Sequence, residues 1–201
     1  MTDIPWPRPS LPDRVEGDPE RVALLIPGGE YSAERPLLHF ARAVFMRHGW
    51  TTQAVWWPQQ PPQREGQALR SWFTQLRSFV HGHVSRALDA ETAPKIALVG
   101  KSMGAFAASV AADRSVPGIW LTPVLRDTDV PEDLRRNSAP FLLVGGTADP
   151  SWDTEVARGV GRPFFEAPGA DHGLETTDDP VNSADILRRV TAAMDEFVGR
   201  L

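Results

Sequence analysis

Residues 95–112 read KIALVGKSMGAFAASVAA, an apolar run followed at once by a serine between two glycines and then by an alanine-rich run. The first run has the composition of a buried strand and the last that of a helix. Gly100 and Gly104 stand where the two backbones approach each other, so a Cβ at either position would be crowded. The pattern predicts a sharp strand-to-helix turn that presents the hydroxyl of Ser102 above a sheet edge. Taken alone, it also fits a glycine-rich turn with an idle serine.

The composition is that of an ordinary globular protein. The chain has 201 residues, of which 41% are hydrophobic and 23% charged, and it is predicted to form one domain over residues 1–201, with an irregular segment at 1–20. A formal net charge of -5 argues against nucleic acid or an anionic membrane as the main partner. The absence of cysteine excludes disulfides, thiolate metal sites and cysteine nucleophiles.

The beginning of the sequence is unlike a signal peptide, because an acidic residue and three prolines fall within residues 1–9. No apolar run approaches the length that a bilayer span requires. We therefore expect a cytoplasmic protein.

Strand-like and helix-like segments alternate along the chain. Apolar runs bounded by turn residues predict strands at residues 21–26, 51–57, 95–99, 118–122, 140–146 and 162–167. Helical spacing of apolar residues predicts helices at about 37–48, 65–90, 105–112 and 183–198. The order predicts the α/β class, a three-layer α/β/α sandwich with a mostly parallel central sheet of about six strands.

Three polar residues follow the ends of predicted strands, where sites in parallel sheets lie. They are Ser102, Asp149 and His172, in that order along the chain. A serine hydroxyl needs a base within hydrogen-bond reach, and the base needs an acceptor that fixes its tautomer. His172 is the candidate base and Asp149 the candidate acceptor.

Two other aspartates compete with Asp149. Asp153 lies four residues further on and is expected near the start of a helix, where a carboxylate is favoured electrostatically. Asp171 adjoins His172 and could hardly reach its ring nitrogen at the correct angle, so we expect it to shape the loop. The remaining histidines fall on predicted helices and are assigned to packing or to the surface; they are His39, His48, His81 and His83. No metal or cofactor is expected.

A tetrahedral oxyanion requires two converging donors. The amide of Met103 lies at a helix start, where N–H groups lack intrahelical acceptors. The second donor is expected from the loop after the first strand, with Gly29 as first choice and Glu30 as second. A plain strand-to-helix turn explains the glycines of that loop equally well.

Together these segments resemble the α/β-hydrolase superfamily, in particular its small lid-less members of the dienelactone hydrolase-like and esterase-like kind. The resemblance extends from residue 21 onward and rests on LIPGGEYS, VGKSMGAFAA, LLVGGTADP and PGADHGLE in family order. It implies Ser102 as nucleophile, His172 as base, Asp149 as orienting acid, and Met103 with the 28–30 loop as oxyanion donors. Two features depart from the family: Pro27 replaces a common histidine, and two amino-terminal strands are not found.

The expected activity is hydrolysis of a small-molecule ester or thioester, by a monomer or a homodimer. Only residues 123–139 separate two predicted strands at the place where relatives carry a lid, so the site is expected to be open. Candidate pocket residues are Tyr31, Lys101, Trp57 and Trp152. A solvated lysine and tryptophans packed beneath loops are the alternatives. Peptidase, dienelactone hydrolase and haloperoxidase-like reactions use similar machinery, and relatives without catalysis act as binding modules.

Overall fold

The computed structural model describes residues 13–126 and 128–201. This part of the chain contains seven strands: β1 (Arg14–Val15), β2 (Asp18–Ile26), β3 (Trp50–Ala54), β4 (Lys95–Lys101), β5 (Gly118–Leu121), β6 (Phe141–Gly146) and β7 (Phe164–Ala167). It contains six α-helices: α1 (Pro36–Arg47), α2 (Leu69–Asp89), α3 (Ala108–Arg114), α4 (Val130–Arg136), α5 (Thr154–Gly159) and α6 (Pro180–Val198). A 3₁₀ helix, Ser102–Ala107, joins β4 directly to α3.

The strands form one sheet in the order β1-β3-β2-β4-β5-β6-β7. Only β1 is antiparallel to its neighbour; the pairs from β3 to β7 are all parallel. The chain moves outward from β2 to β3 and then returns to the other side of β2 as β4. The crevice at the carboxyl ends of β2 and β4 is therefore the switch point, where α/β proteins place their sites.

The central strands are apolar on both faces because helices cover both sides of the sheet. In β4, Leu98 packs into the layer that includes Val80 of α2 and Val110 of α3. Ala97 and Val99 face the opposite layer, which contains residues of α1 and α6. The predicted α/β class and mostly parallel sheet are confirmed. None of the helices in the described part of the chain combines the length and the hydropathy of a membrane span.

The amino-terminal part of the fold differs from the prediction. Residues 13–20 of the segment predicted as irregular contain β1 and the start of β2, while residues 1–12 lie outside the described residues. Arg14 and Val15 pair with Gln53 and Thr52 at the edge of the sheet. This strand escaped prediction because two residues carry no periodicity, and it raises the strand number from about six to seven.

The connection between β5 and β6 contains a helix that the sequence did not predict. Its described residues include α4, of seven residues, which lies against α3 and is tied to α2 by the pair of hydrogen bonds from Arg77 to Asp133. The described residues of this connection contain no lid domain.

Candidate active site

Ser102 occupies the sharp turn between β4 and the 3₁₀ helix. Its φ of 54° lies in the left-handed region, which is unfavourable for a residue with a Cβ. The flanking glycines permit the turn: a Cβ on Gly100 would lie 2.5 Å from the carbonyl oxygen of Gly104, and one on Gly104 would overlap the carbonyl of Ile26. Ser102 is thus held in a strained strand-to-helix turn, which we call the elbow.

The structure brings Ser102, His172 and Asp149 together. Nε2 of His172 lies 2.7 Å from Oγ of Ser102, and Nδ1 lies 2.7 Å from Oδ2 of Asp149. The Asp149 side chain is completely buried, whereas that of His172 is 37% exposed. The backbone N–H of Ser151 donates to the other carboxylate oxygen at 2.8 Å, which fixes the plane of the carboxylate. The three side chains form a continuous hydroxyl–imidazole–carboxylate chain with its open end at the serine.

Asp153 has a different task from Asp149. It is the N-cap of α5, and its carboxylate accepts hydrogen bonds from the backbone N–H groups of Glu155 and Val156. Its other oxygen lies 3.6 Å from a guanidinium nitrogen of Arg126. Both oxygens are therefore engaged away from the imidazole.

Asp171 shapes the loop that carries His172. Its Oδ1 accepts from the N–H groups of Gly173 at 2.7 Å and Glu175 at 3.1 Å, and its own N–H donates to the carbonyl of Glu175. These bonds close a compact turn around the histidine, as expected from the sequence.

The glycine loop after β2 passes close to Ser102. A Cβ on Gly28 would lie 3.6 Å from the Cβ of Ser102 and 3.4 Å from the carbonyl oxygen of Lys101. The N–H of Gly28 donates to the carbonyl of Tyr31 at 3.0 Å, so this amide is already used. Gly29 and Glu30, the two candidate donors, lie at the exposed tip of the loop. The N–H of Met103 lies in the first turn of the 3₁₀ helix, where amides lack intrahelical acceptors.

Trp57 also contacts the glycine loop. Its indole Nε1 donates to the carbonyl oxygen of Gly28 at 3.2 Å, and its ring packs against Phe79 and His83. A peptide is planar, so the carbonyl of Gly28 and the N–H of Gly29 point in opposite directions. Because Trp57 fixes the orientation of the Gly28 carbonyl, it also fixes the orientation of the Gly29 N–H.

Two of the four candidate pocket residues do not line a pocket. Lys101 is only 2% exposed and Trp152 only 3%. The indole of Trp152 packs against Gly145 and donates to Glu166 at 2.6 Å, so the alternative of packing beneath a loop is correct for it. Tyr31 and Trp57 are half-buried and adjoin Gly28.

The burial of Lys101 contradicts both sequence interpretations, the pocket-lining residue and the solvated lysine. Its Nζ donates to the backbone carbonyl of His172 at 3.0 Å and lies 4.9 Å from the centroid of the Tyr31 ring. Burial lowers the pKa of Lys101 to about 8, against the opposing attraction of Asp149 and Asp171. Alternation along β4 could have revealed this, because Lys101 shares a strand face with the buried Ala97 and Val99.

The other histidines contact groups outside this cluster. His48 lies 2.9 Å from Asp195, and His81 lies 3.0 Å from the hydroxyl of Ser109. His83 packs against Phe79, and burial lowers its pKa. Residues 13–126 and 128–201 contain no cluster of three or more potential metal ligands.

Comparison with known proteins identifies the fold. No protein-family model and no curated protein matches the sequence. Among solved structures, the chain is similar to the ferulic acid complex of Est1E from Butyrivibrio proteoclasticus, at 16% identity over 93% of each chain and a TM-score of 0.65. It is also similar to a lid-less α/β serine hydrolase from Xanthomonas campestris, at 16% identity over 94% of this chain and 85% of that one, with a TM-score of 0.58. A third similar structure is dienelactone hydrolase from Anabaena variabilis, at 16% identity over 89% and 88% of the two chains and a TM-score of 0.57. The chain therefore has the α/β-hydrolase fold in its lid-less form.

Proposed function

We propose that this protein is a serine hydrolase that cleaves a small ester or thioester through an acyl-enzyme. The observation that carries the proposal is the pair of 2.7 Å contacts that joins Ser102, His172 and Asp149 into one chain. A serine without a catalytic role in a glycine-rich turn would not require an imidazole and a carboxylate aligned with its hydroxyl. The α/β-hydrolase fold supports the same assignment.

In this mechanism Oγ of Ser102 attacks the carbonyl carbon of the substrate while Nε2 of His172 accepts its proton. Asp149 accepts from Nδ1–H, which leaves the lone pair of Nε2 directed at the serine and stabilises the imidazolium that forms. His172 then protonates the leaving alcohol or thiol. A water molecule, deprotonated by the same nitrogen, hydrolyses the acyl-serine and regenerates the free hydroxyl.

The negative charge of the tetrahedral intermediate needs two amide donors. We assign the N–H of Met103 as one and the N–H of Gly29 as the other, with Glu30 as the alternative. The contact of Trp57 with the carbonyl of Gly28 supports Gly29, because it holds the peptide that contains this N–H in one orientation.

The expected substrates are small. The described residues of the short connection that contains α4 form no lid domain against which a long acyl chain could be buried. On p-nitrophenyl esters we expect kcat/KM to be highest for acetate to butyrate and to fall for octanoate and longer chains. A preference for the long esters would contradict the open site while leaving the chemistry intact.

A fluorophosphonate probe tests the chemistry directly, because it phosphonylates a serine that a neighbouring base has activated. We expect wild type and the control Ser78→Ala, which removes an exposed serine on α2, to be labelled equally. Ser102→Ala should not be labelled. A folded wild type that resists the probe would instead support the alternative, a non-catalytic α/β-hydrolase-like binding module.

A further inference from the structure

Lys101 is a buried ammonium group that the proposed mechanism does not use. Lys101 is the last residue of β4, immediately before Ser102, and only 2% of its surface is exposed. The only other lysine of the sequence, Lys95, begins the same strand and is exposed to solvent. Burying an ammonium is unfavourable unless it is paired or hydrogen-bonded. We therefore expect the contacts of Lys101 to offset the cost of its burial.

The side chain joins three parts of the site. Its backbone belongs to the strand that leads to Ser102. Its Nζ donates to the carbonyl of His172 at 3.0 Å, and it lies 4.9 Å from the centre of the Tyr31 ring. Tyr31 in turn accepts, through its carbonyl, from the N–H of Gly28 in the glycine loop. One ammonium group therefore contacts both the histidine loop and the loop of the candidate oxyanion donor.

The histidine loop has few other attachments to β4. Its first residues are tied to the end of β6, where Gly169 donates to the Thr147 hydroxyl and Ala148 donates to the carbonyl of Ala170. The turn at Asp171 holds the loop together internally. The bond from Lys101 is the contact that attaches the backbone of His172 itself to the strand that carries the serine.

A cationic donor suits this position. Hydrogen bonds from charged donors are stronger than those between neutral groups, and the face of an aromatic ring attracts a cation. The charged and titratable groups around Lys101 are Asp149 after β6, Asp171 and His172 in the histidine loop, and Tyr31 in the glycine loop. Both carboxylates favour the charged form. A methionine of similar length would fill the space without any of these interactions.

We infer that Lys101 is a positioning residue: it holds the histidine loop and, through Tyr31, the glycine loop at the distance from Ser102 that catalysis needs. This inference rests on the proposed function of Ser102 and His172. A displacement of a catalytic group by about one ångström can lower a rate by roughly 100-fold. Lys101 would act entirely through His172 and the glycine loop, without touching the substrate.

The kinetic test compares Lys101→Met with Lys95→Met, the same substitution at the exposed end of the same strand. Active sites are counted by complete fluorophosphonate labelling, so that kcat refers to folded protein. We expect Lys101→Met to lower kcat by roughly 10- to 100-fold with little change in KM, and Lys95→Met to leave both unchanged. A kcat per labelled serine equal to that of wild type would overturn the inference.

A crystal structure of Lys101→Met provides a second test that does not depend on activity. We expect Nε2 of His172 to move beyond hydrogen-bond distance, about 3.5 Å, from Oγ of Ser102. An unchanged distance in the folded variant would overturn the positioning role even if wild type proved inactive. A wild type that is not labelled at Ser102, by contrast, would reject the proposed hydrolase, so the two failures are distinguishable.

Discussion

Oγ of Ser102 lies 2.7 Å from Nε2 of His172, although the two residues are 70 positions apart in the sequence. In the sheet, β5 and β6 lie between β4, which precedes the serine, and β7, which precedes the histidine. Three strand spacings of about 4.8 Å amount to roughly 14 Å. The loop after β7 must therefore cross the carboxyl edge of two strands to bring the imidazole to the hydroxyl. The contacts that fix this loop therefore determine where the imidazole lies relative to the hydroxyl.

The assignment of the acid can be tested by comparing Asp149→Asn with Asp153→Asn. An amide at position 149 presents an N–H to Nδ1 and so favours the tautomer with a proton on Nε2, which cannot accept the serine proton. We expect kcat on p-nitrophenyl acetate to fall by about 10⁴-fold.

Asp153→Asn is the matched control, because it alters the N-cap of α5 in the same segment. We expect kcat to remain at the wild-type value and the free energy of unfolding to fall by at most about 1 kcal/mol, since asparagine also caps helices. Equal losses of activity in both variants would refute the assignment of Asp149.

Much of this site could be predicted from the sequence because parallel sheets place functional groups at strand ends. Ser102, Asp149 and His172 each follow an apolar run, and that rule selects them when it is combined with the chain order serine, acid, histidine. The environment of Lys101 could not be predicted in the same way. Strand alternation gives the face on which it lies, but the loop that covers that face comes from residues more than 65 positions later in the chain.

The same limitation explains the error at Trp152. Its position after β6 suggested the site, whereas its burial against Gly145 depends on packing between a strand and a loop that no local pattern encodes. The helix α4 was missed for a different reason. It has seven residues, four of them charged, and too few apolar positions to show helical spacing.

The strain at the elbow predicts an unusual stability for one inactive variant. Ser102 has a φ of 54°, and glycine adopts this conformation without the steric cost that a Cβ brings. We expect Ser102→Gly to unfold with a free energy about 1 kcal/mol higher than Ser102→Ala, as measured by urea denaturation.

Ser115 provides the control for this comparison, because it has a φ of 52° at the end of α3. Ser115→Gly should likewise be more stable than Ser115→Ala, and both should retain activity. A stability difference at position 115 without one at position 102 would mean that the elbow is not strained.

Gly104 should be among the least replaceable residues of the turn. A Cβ at this position would overlap the carbonyl of Ile26 and lie 2.8 Å from that of Pro27, and both are backbone atoms that cannot rotate away. We expect Gly104→Ala to lower the free energy of unfolding by about 1–3 kcal/mol and to reduce fluorophosphonate labelling, since the glycine loop must shift. Gly159→Ala, where a Cβ would meet nothing within 4 Å, serves as the control in the same urea titration. Equal stability of the two variants would contradict the close approach.

The burial of Lys101 predicts that the residue lowers stability near neutral pH. Its pKa falls from 10.5 to about 8 on folding, so the unfolded chain binds more protons than the folded protein between these values. Stability therefore rises with pH across this window, and the contribution of Lys101 is least favourable below pH 8. At about 1.4 kcal/mol per pKa unit, the effect of the ionisation is on the order of 3 kcal/mol.

Lys101→Met removes this titration and no other ionisable group. We expect the free energy of unfolding of wild type, relative to that of the variant, to increase by roughly 2–3 kcal/mol as the pH rises from 7 to 10. Urea denaturation at several pH values measures the difference, with Lys95→Met, the same substitution at an exposed position of β4, as the matched control. A constant difference between wild type and Lys101→Met would mean that the ammonium is not desolvated. A rising difference together with a reduced kcat would mean that the protein retains an unfavourable buried charge because His172 must be held in place.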